Sequence, residues 1–361
     1  MLKEVVLLSK INEEIELPKE ERIILGLLRS LEKREKDTKT GEFIIDEKTK
    51  LKPTKEGILA YGKHAFKAET DSYSNFFDPL VTKKLLRFDG TVFILTEKGR
   101  LIGKQVLAKW QSSWYNSALL RSAKSQAHAQ FCERVFGKNL YQFDVLDMEQ
   151  LDTLINKMKL KVNDYILDIG CGLGKIDEYI SDKTGAKFLG IDFAEELVKW
   201  ALEQTTVKRD RLNYQVMNIN DLDFPAATFD AIISIDSLYF VDDLNSTIKK
   251  LRKILKPKGR LGIFYAQYRA PHEPLKLLKP NGTKVALALK ANGFSFEAIN
   301  LTENGRNIWV KEIAAATDLK EQFEKEGNLD LCEGRLADSK ETMAKIDNQQ
   351  ETRYFYLCKK I

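Results

Sequence analysis

Apolar positions change period along the chain, and the change divides it. Between residues 20 and 33 they fall at Ile23, Ile24, Leu27, Leu28 and Leu31, the spacing of one buried helical face. A charged, turn-rich stretch runs from there to Pro53, after which Thr54 stands as N-cap of a second helical pattern through Tyr61. Residues 85–96 read as two β-prone runs turned at Asp89-Gly90, and a helix over 96–103 follows directly. The stretch 110–137, rich in Ser, Ala and Gln, predicts a long helix broken within its length. Asp147-Met-Glu-Gln150 has the form of a capping box, with Asp147 as N-cap and Gln150 reaching back, and opens a helix to about Met158.

Beyond that point strand and helix alternate. Strands are expected at 164–169, 187–192, 212–217, 229–235 and 259–266, and helices at 175–184, 194–204 and 243–255. Alternation of this kind gives a parallel sheet covered on both faces. Two polar helices are expected between 310 and 348, and Arg353 to Cys358 reads as a final strand. No internal repeat or low-complexity tract interrupts the pattern.

The most informative chemistry sits where the first strand of this series ends, in Tyr165-Ile-Leu-Asp-Ile-Gly-Cys-Gly-Leu-Gly-Lys175. Glycines at 170, 172 and 174 let the backbone turn tightly and approach a bound group, and a helix starting near Lys175 aims its first N–H groups at any anion there. A dinucleotide fingerprint would read GxGxxG, whereas here the third glycine comes one residue early, which disfavours NAD.

Composition narrows the setting. At 361 residues and 43% apolar, the chain has room for about two domains with substantial cores. A basic start with a long apolar segment is missing from the N-terminus, and no apolar run is long enough to span a bilayer, so a cytoplasmic location is expected and no membrane partner. Cys132, Cys171, Cys332 and Cys358 lie far apart without CxxC spacing, so reduced thiols are expected, with no metal site and no disulfide framework. A net charge of +5 on 58 basic and 53 acidic residues does not point to a polyanionic partner.

The glycine run resembles motif I of the class I S-adenosylmethionine-dependent methyltransferases, (D/E)xGxGxG, filled by Asp168, Gly170, Gly172 and Gly174 with Cys171 between. The rest of that family's pattern follows in order: Phe188-Leu-Gly-Ile-Asp192, the stretch 218–230, Ala231-Ile-Ile-Ser-Ile-Asp236, and Leu255-Lys-Pro-Lys-Gly-Arg-Leu-Gly-Ile-Phe-Tyr265. The likeness runs from roughly residue 140 to the end. It implies a Rossmann-like, seven-stranded α/β sheet, parallel but for an antiparallel last strand. It also implies S-adenosylmethionine as cofactor and S-adenosylhomocysteine as product.

Ahead of it, helices followed by a hairpin and Leu95-Thr-Glu-Lys-Gly-Arg100 resemble a winged-helix module. The domain expectation is a winged-helix-like, mainly helical domain at 1–105, a helical linker or lid at 106–145, and a methyltransferase domain at 146–361. Such a module either binds DNA through a recognition helix or covers a substrate and builds a homodimer. With 21 Lys and Arg against 18 Asp and Glu in residues 1–105, the phosphate-neutralising surface that nucleic acid requires is not evident, which favours the second role.

The resemblance also assigns candidate residues. Gly170 and Gly172 would pass beneath the methionine part of the cofactor, Asp168 would favour its ammonium, and Asp192 would take the ribose hydroxyls. Phe193 or Ile191 would pack on the adenosine. Asn218 stands where the family commonly has Asp for the adenine amino group, with Ile219 as the wall of the ring. Tyr141, Gln142 and Phe143 fall where the family closes a lid over the cofactor. Asp236 and Tyr239, after the fourth strand, stand where amino-methylating relatives carry Asn/Asp-Pro-Pro-Tyr, and both prolines are missing here. Each has ordinary strand-end hydrogen bonding as its structural alternative. His128 and His272 are candidate bases for a hydroxyl acceptor, against the alternative of satisfied or surface histidines. Tyr265, Gln267 and Tyr268 could line the acceptor side.

A methyl group on a sulfonium is already activated, so alignment and exclusion of water are the main demands, with no metal and no nucleophilic triad. The expected function is methyl transfer to a nitrogen or oxygen of a small molecule. Two rivals stand beside it: an RNA or DNA methyltransferase, and a regulator that senses S-adenosylmethionine without turnover.

Overall fold

The computed structural model describes residues 16–34, 43–44, 49–66 and 69–361. It divides into two bodies, Met1–Trp114 and Tyr115–Ile361. In the first, α1 (Lys19–Glu32), α2 (Lys55–Phe66) and the short α3 (Phe77–Thr82) pack with a two-residue ladder, β1 (Phe43–Ile44) and β2 (Lys50–Leu51), and a hairpin, β3 (Leu86–Phe88) and β4 (Phe93–Leu95). The apolar stripe of α1 is buried as its spacing demands: Ile24, Leu27, Leu28 and Leu31 join Tyr61, Phe77 and Leu95 in one core. Asp89 holds the hairpin loop by accepting the backbone N–H groups of Thr91 (3.0 Å) and Val92 (2.8 Å).

The boundary between the bodies falls inside α4 (Glu97–Lys124). The break expected within 110–137 comes at Ser125, whose hydroxyl caps α5 (Gln126–Phe136) by accepting from the backbone N–H of His128 at 3.0 Å. In α6 (Met148–Met158) Asp147 caps as expected, accepting from the Gln150 N–H at 2.9 Å. The reciprocal half of the box does not form. The Gln150 amide donates to Val145 O and Asn304 Oδ1 and accepts from the buried guanidinium of Arg353, which outcompetes a helix-end N–H for that oxygen.

The second body is an α/β sheet of seven strands in the order β10-β11-β9-β8-β5-β6-β7. Its strands are β5 (Tyr165–Ile169), β6 (Lys187–Asp192), β7 (Leu212–Val216), β8 (Phe229–Ile235), β9 (Leu255–Tyr268), β10 (Phe294–Asn300) and β11 (Glu351–Lys360). β5 to β9 pair in parallel, and β11 runs antiparallel between β9 and β10, so the sheet is Rossmann-like with the one reversed strand that was expected. α7 (Lys175–Thr184), α8 (Glu195–Gln204), α9 (Leu244–Ile254) and α10 (Lys284–Ala291) cover it. β5, β8 and β9 are apolar on both sides because both of their faces are covered, giving two cores, one around Ile232, Leu261 and Tyr356 and one around Ile166, Ile233 and Phe264.

Several features differ from the sequence expectation, including α10, which had no assigned segment, and α4, which runs unbroken where two helices were expected. β9 begins at Leu255 rather than 259, and β10 had no assigned segment because Phe294–Asn300 alternates too weakly to announce itself. The polar helices α11 (Thr302–Lys325) and α12 (Leu329–Asp347) start earlier, since α11 buries Ile308, Ala315, Ala316 and Phe323 against α5. From β5 the chain winds to β6 and β7 on one side and returns to β8 and β9 on the other. The direction therefore reverses between β5 and β8, where a crevice opens at the carboxyl ends of the strands.

Candidate active site

At the end of β5 the backbone enters the left-handed region at Gly170 (φ 81°), Gly172 (φ 51°) and Gly174 (φ 69°). Gly170 sits so close to the loop after β8 that an added Cβ would lie 2.7 Å from Cβ of Ser237. Ser237 clamps the turn by donating to Ile169 O at 2.5 Å, with Ser234 Oγ at 2.7 Å. Asp192, buried at the end of β6, braces the same turn from the other side. Its two oxygens accept from the N–H groups of Gly172 (3.0 Å) and Ala194 (2.9 Å).

These elements enclose a cavity of about 170 Å³ bordered by Asp168, Gly172, Asp192, Ile219, Asp236 and Tyr141, among others. Beneath its floor lies a pair of buried acids. No donor reaches Asp168 Oδ1 or either oxygen of Asp177 on α7. Burial raises both carboxyls, Asp177 further, because the neighbouring Asp168 charge adds to the effect of burial there. Burial also raises Asp192, against the backbone N–H bonds that lower it.

A second chamber of about 280 Å³ shares Asp236, Asp144, Tyr115, Phe143 and Phe240 with the first. Its remaining walls come from α11 (Trp309), α12 (Ile346) and the start of β11 (Glu351, Arg353). Asp236 stands at the junction with φ 48°, a left-handed conformation uncommon outside glycine. Its Oδ2 accepts from Arg353 Nη2 at 2.6 Å and its Oδ1 from the Tyr239 hydroxyl at 3.0 Å, and that hydroxyl accepts from Ala266 N–H at 2.7 Å. Burial, then the neighbouring Asp236 charge, pushes Asp144 up to about 7, although its Oδ1 accepts from Leu146 N–H at 3.0 Å. Burial likewise pushes Glu351 up to about 7, opposed by Lys345.

The sequence candidates therefore divide. Asp168, Gly170, Cys171, Gly172, Gly174, Ile191, Asp192, Phe193, Ile219 and Asp236 all border the first cavity, as do Tyr141, Gln142 and Phe143 of the lid stretch. Gln142 does so with its amide turned inward, accepting from Leu140 N–H (2.8 Å) and donating to Lys138 O (3.1 Å), so it ties its own loop. Tyr239 borders the second chamber.

Other candidates are corrected. His128 is buried in the core between α5 and α11, its Nε2 3.4 Å from Cys132 Sγ, and burial beside Arg335 pushes it down to about 3, so it is a neutral packing residue away from either cavity. His272 lies exposed in the loop after β9 and borders neither cavity. Asn218 caps the turn at 219–221, its Oδ1 accepting from both the backbone and the side chain of Asn220 at 2.9 Å, which occupies the oxygen expected to serve a ligand. Tyr265 and Gln267 are buried beside the chamber rather than on its wall, Gln267 accepting from Lys284 N–H at 2.9 Å, and Tyr268 packs under Lys345.

Several residues in or beside the two cavities escaped the sequence reading. Asp177 carried a signal, an acid in the first turn of a helix at a position its periodicity buries. Tyr115, Asp144, Trp309, Glu351 and Arg353 carried none, because they meet only through tertiary packing. Among the described residues no cluster of three or more His, Cys, Asp or Glu is placed to hold a metal ion, and no helix is long and apolar enough to cross a membrane.

Comparison with known proteins places the fold beside the methyltransferases. Residues 167–263 match a family model described as a methyltransferase domain. The chain is 30% identical over 143 residues to phosphoethanolamine N-methyltransferase 1 of Arabidopsis thaliana, covering 39% of this chain and 28% of that protein. It is 31% identical over 109 residues to O-methyltransferase resE of Aspergillus sclerotiorum, covering 30% and 41%. The chain thus spans less than half the length of these curated relatives. A solved structure of Haemonchus contortus phosphoethanolamine N-methyltransferase 2, in complex with phosphomonomethylethanolamine and S-adenosylhomocysteine, shares the fold with a TM-score of 0.56 at 20% identity, over 68% of this chain and 60% of that one.

Proposed function

We propose that this chain, which carries a class I S-adenosylmethionine-dependent methyltransferase domain, moves the methyl group of S-adenosylmethionine onto a nitrogen or oxygen of a small molecule. The observation that carries the reading is the meeting of two cavities at Asp236, one built on the glycine turn and one walled by aromatic and acidic side chains.

The first cavity fits the donor on its own chemistry. Asp168 has a buried oxygen without a partner, which suits an ammonium group, and Gly170 and Gly172 border the cavity in left-handed conformations that bring backbone rather than side chain to its wall. When bound, S-adenosylmethionine supplies a methyl group already activated on a sulfonium. Asp168 would hold the ammonium end. Asp192 retains lone pairs beyond those used by Gly172 and Ala194 and accepts from the ribose hydroxyls. Phe193 and Ile219 wall the adenine. Tyr115, Phe143 and Phe240 border both cavities and exclude water from the junction, where alignment contributes most of the acceleration.

The test is to incubate the purified protein with methyl-labelled S-adenosylmethionine and a metabolite extract and to identify labelled products by mass spectrometry. A labelled small molecule is the expected result. Label confined to nucleic acid, or no binding of S-adenosylmethionine in calorimetry, would overturn the reading.

A further inference from the structure

Resting on that reading, we infer that the second chamber selects an amine that arrives as its ammonium ion, carries an uncharged apolar body and has no phosphate, with Asp144 as the group that takes its proton. The chamber holds three carboxyls, Asp144, Asp236 and Glu351, and one cation, Arg353. That cation is charge-paired with Asp236, and of its donors only the buried Nε lacks a partner. Arg353 is buried, its Nη2 lies 2.6 Å from Asp236 Oδ2, its Nη1 donates to Gln150, and its guanidinium lies 5.2 Å from the centre of the Phe264 ring.

Asp236 and Arg353 therefore cancel, and Asp144 and Glu351 remain without an ion-pair partner among the described residues. Phosphate recognition needs several donors, usually Arg or Lys, aimed at its oxygens, and no Lys or His borders this chamber. Tyr115, Phe143, Tyr239, Phe240 and Trp309 supply the other walls, and aromatic faces attract a cation while accommodating an apolar body. A volume of about 280 Å³ suits a small monoamine rather than a polymer end.

The two free carboxyls differ in place. Asp144 borders both cavities and so faces the point of transfer, whereas Glu351 borders the second alone and serves as an anchor. The groups acting on Asp144 are Asp236, Arg353 and Arg335, and those on Glu351 are Lys345, Asp236, Arg353 and Glu341. Burial dominates both balances, which leaves carboxyls able to exchange a proton near neutral pH. The ammonium gives one proton to Asp144, and the freed lone pair on nitrogen forms the new N–C bond. The electron pair of the broken C–S bond stays on sulfur, leaving S-adenosylhomocysteine. The product leaves as a methylated ammonium ion, and Asp144 returns its proton to solvent.

The full chain saturated with S-adenosylhomocysteine is titrated in a calorimeter with 2-phenylethylamine, phosphoethanolamine and 4-methylphenol, and the same compounds are offered with methyl-labelled cofactor. The amine should bind and accept label, with phosphoethanolamine at least about tenfold weaker. Activity of the wild type should rise with pH through about 7, where Asp144 loses its proton. Asp144→Asn should lose that rise and about 100-fold in kcat, with cofactor affinity kept. Glu351→Gln should raise KM for the amine about tenfold and leave the pH profile in place. Preference for phosphoethanolamine or the phenol, no binding of the amine, or an unchanged pH profile in Asp144→Asn would each overturn the inference while leaving methyl transfer standing. Failure to bind the cofactor at all would overturn both.

Discussion

The two cavities that meet at Asp236 are built on different principles. The first takes its shape from backbone: glycines in left-handed conformations, strand ends, and side chains such as Ser237 and Asp192 that spend their hydrogen bonds holding the turn. The second is made mostly of side chains, drawn from α4, the loop before α6, the loop after β8, β9, α11, α12 and β11. A backbone site fixes one ligand shape and tolerates little substitution. A side-chain site can be rebuilt for another acceptor while the first stays as it is.

The sharpest way to break this contrast is at the one place where the chamber is structural as well. Arg353→Gln leaves the carboxylate of Asp236 in a largely buried site without its counter-ion, and removal of one partner of such a pair costs on the order of 3–5 kcal/mol. Urea unfolding should report a loss of that size. A loss below about 1 kcal/mol would mean that the chamber is a surface feature, as replaceable at its base as at its walls.

Next in size, Gly170→Ala sets a backbone test beside a chamber test. The φ of 81° disfavours any Cβ by about 1–2 kcal/mol, and the new atom would meet Ser237 at 2.7 Å, so affinity for S-adenosylhomocysteine should fall about 100-fold in calorimetry. In the chamber, Gly305 on α11 has nothing within 4 Å of an added Cβ. Gly305→Ala should therefore leave cofactor affinity unchanged and stability equal or slightly higher, altering only KM for the acceptor. Equal losses of cofactor affinity in both variants would erase the distinction between the cavities.

The same distinction explains what was legible in the sequence. Residues 165–175, 187–192 and 231–236 sit on strands that neighbour one another in the sheet, so alternation of apolar runs and glycines exposed the sheet, its switch point and most of the first cavity. At Asn218 the short polar side chain at the strand end satisfies its own turn, here through Asn220. His128 failed because periodicity places a residue on a helix face but does not say which face packs, and α5 turns that one into the core with Phe131 and Cys132. Trp309, Glu351 and Arg353 were silent, since nothing local distinguishes a chamber wall from any other helix or strand position.

The buried acid pair offers a test of intermediate size. In the ligand-free protein Asp168 and Asp177 have raised pKa values, so the folded state holds more protons than the unfolded one. Their contribution to stability is complete below the ordinary carboxylate pKa and is lost as pH rises through the raised values. Asp177→Asn replaces one of the two raised carboxyls with a permanent N–H donor. The variant should lose this pH dependence and exceed the wild type by about 1–3 kcal/mol at pH 8, read from urea unfolding at several pH values. A parallel decline in both proteins would place the pH dependence elsewhere.

The smallest expected effect tests whether the junction belongs to the backbone cavity or to the chamber. The Tyr239 hydroxyl donates to Asp236 Oδ1 at 3.0 Å and accepts from Ala266 N–H at 2.7 Å, so it fixes the strained Asp236 relative to β9 without bordering the first cavity. Tyr239→Phe removes both bonds and should cost about 1 kcal/mol of stability, within the range for a net hydrogen bond. If Tyr239 positions the acceptor side, kcat/KM for the acceptor should fall several-fold while affinity for S-adenosylhomocysteine stays constant. A fall in cofactor affinity with acceptor kinetics intact would assign Asp236 to the donor side, and the side-chain cavity would then begin beyond it, at Asp144.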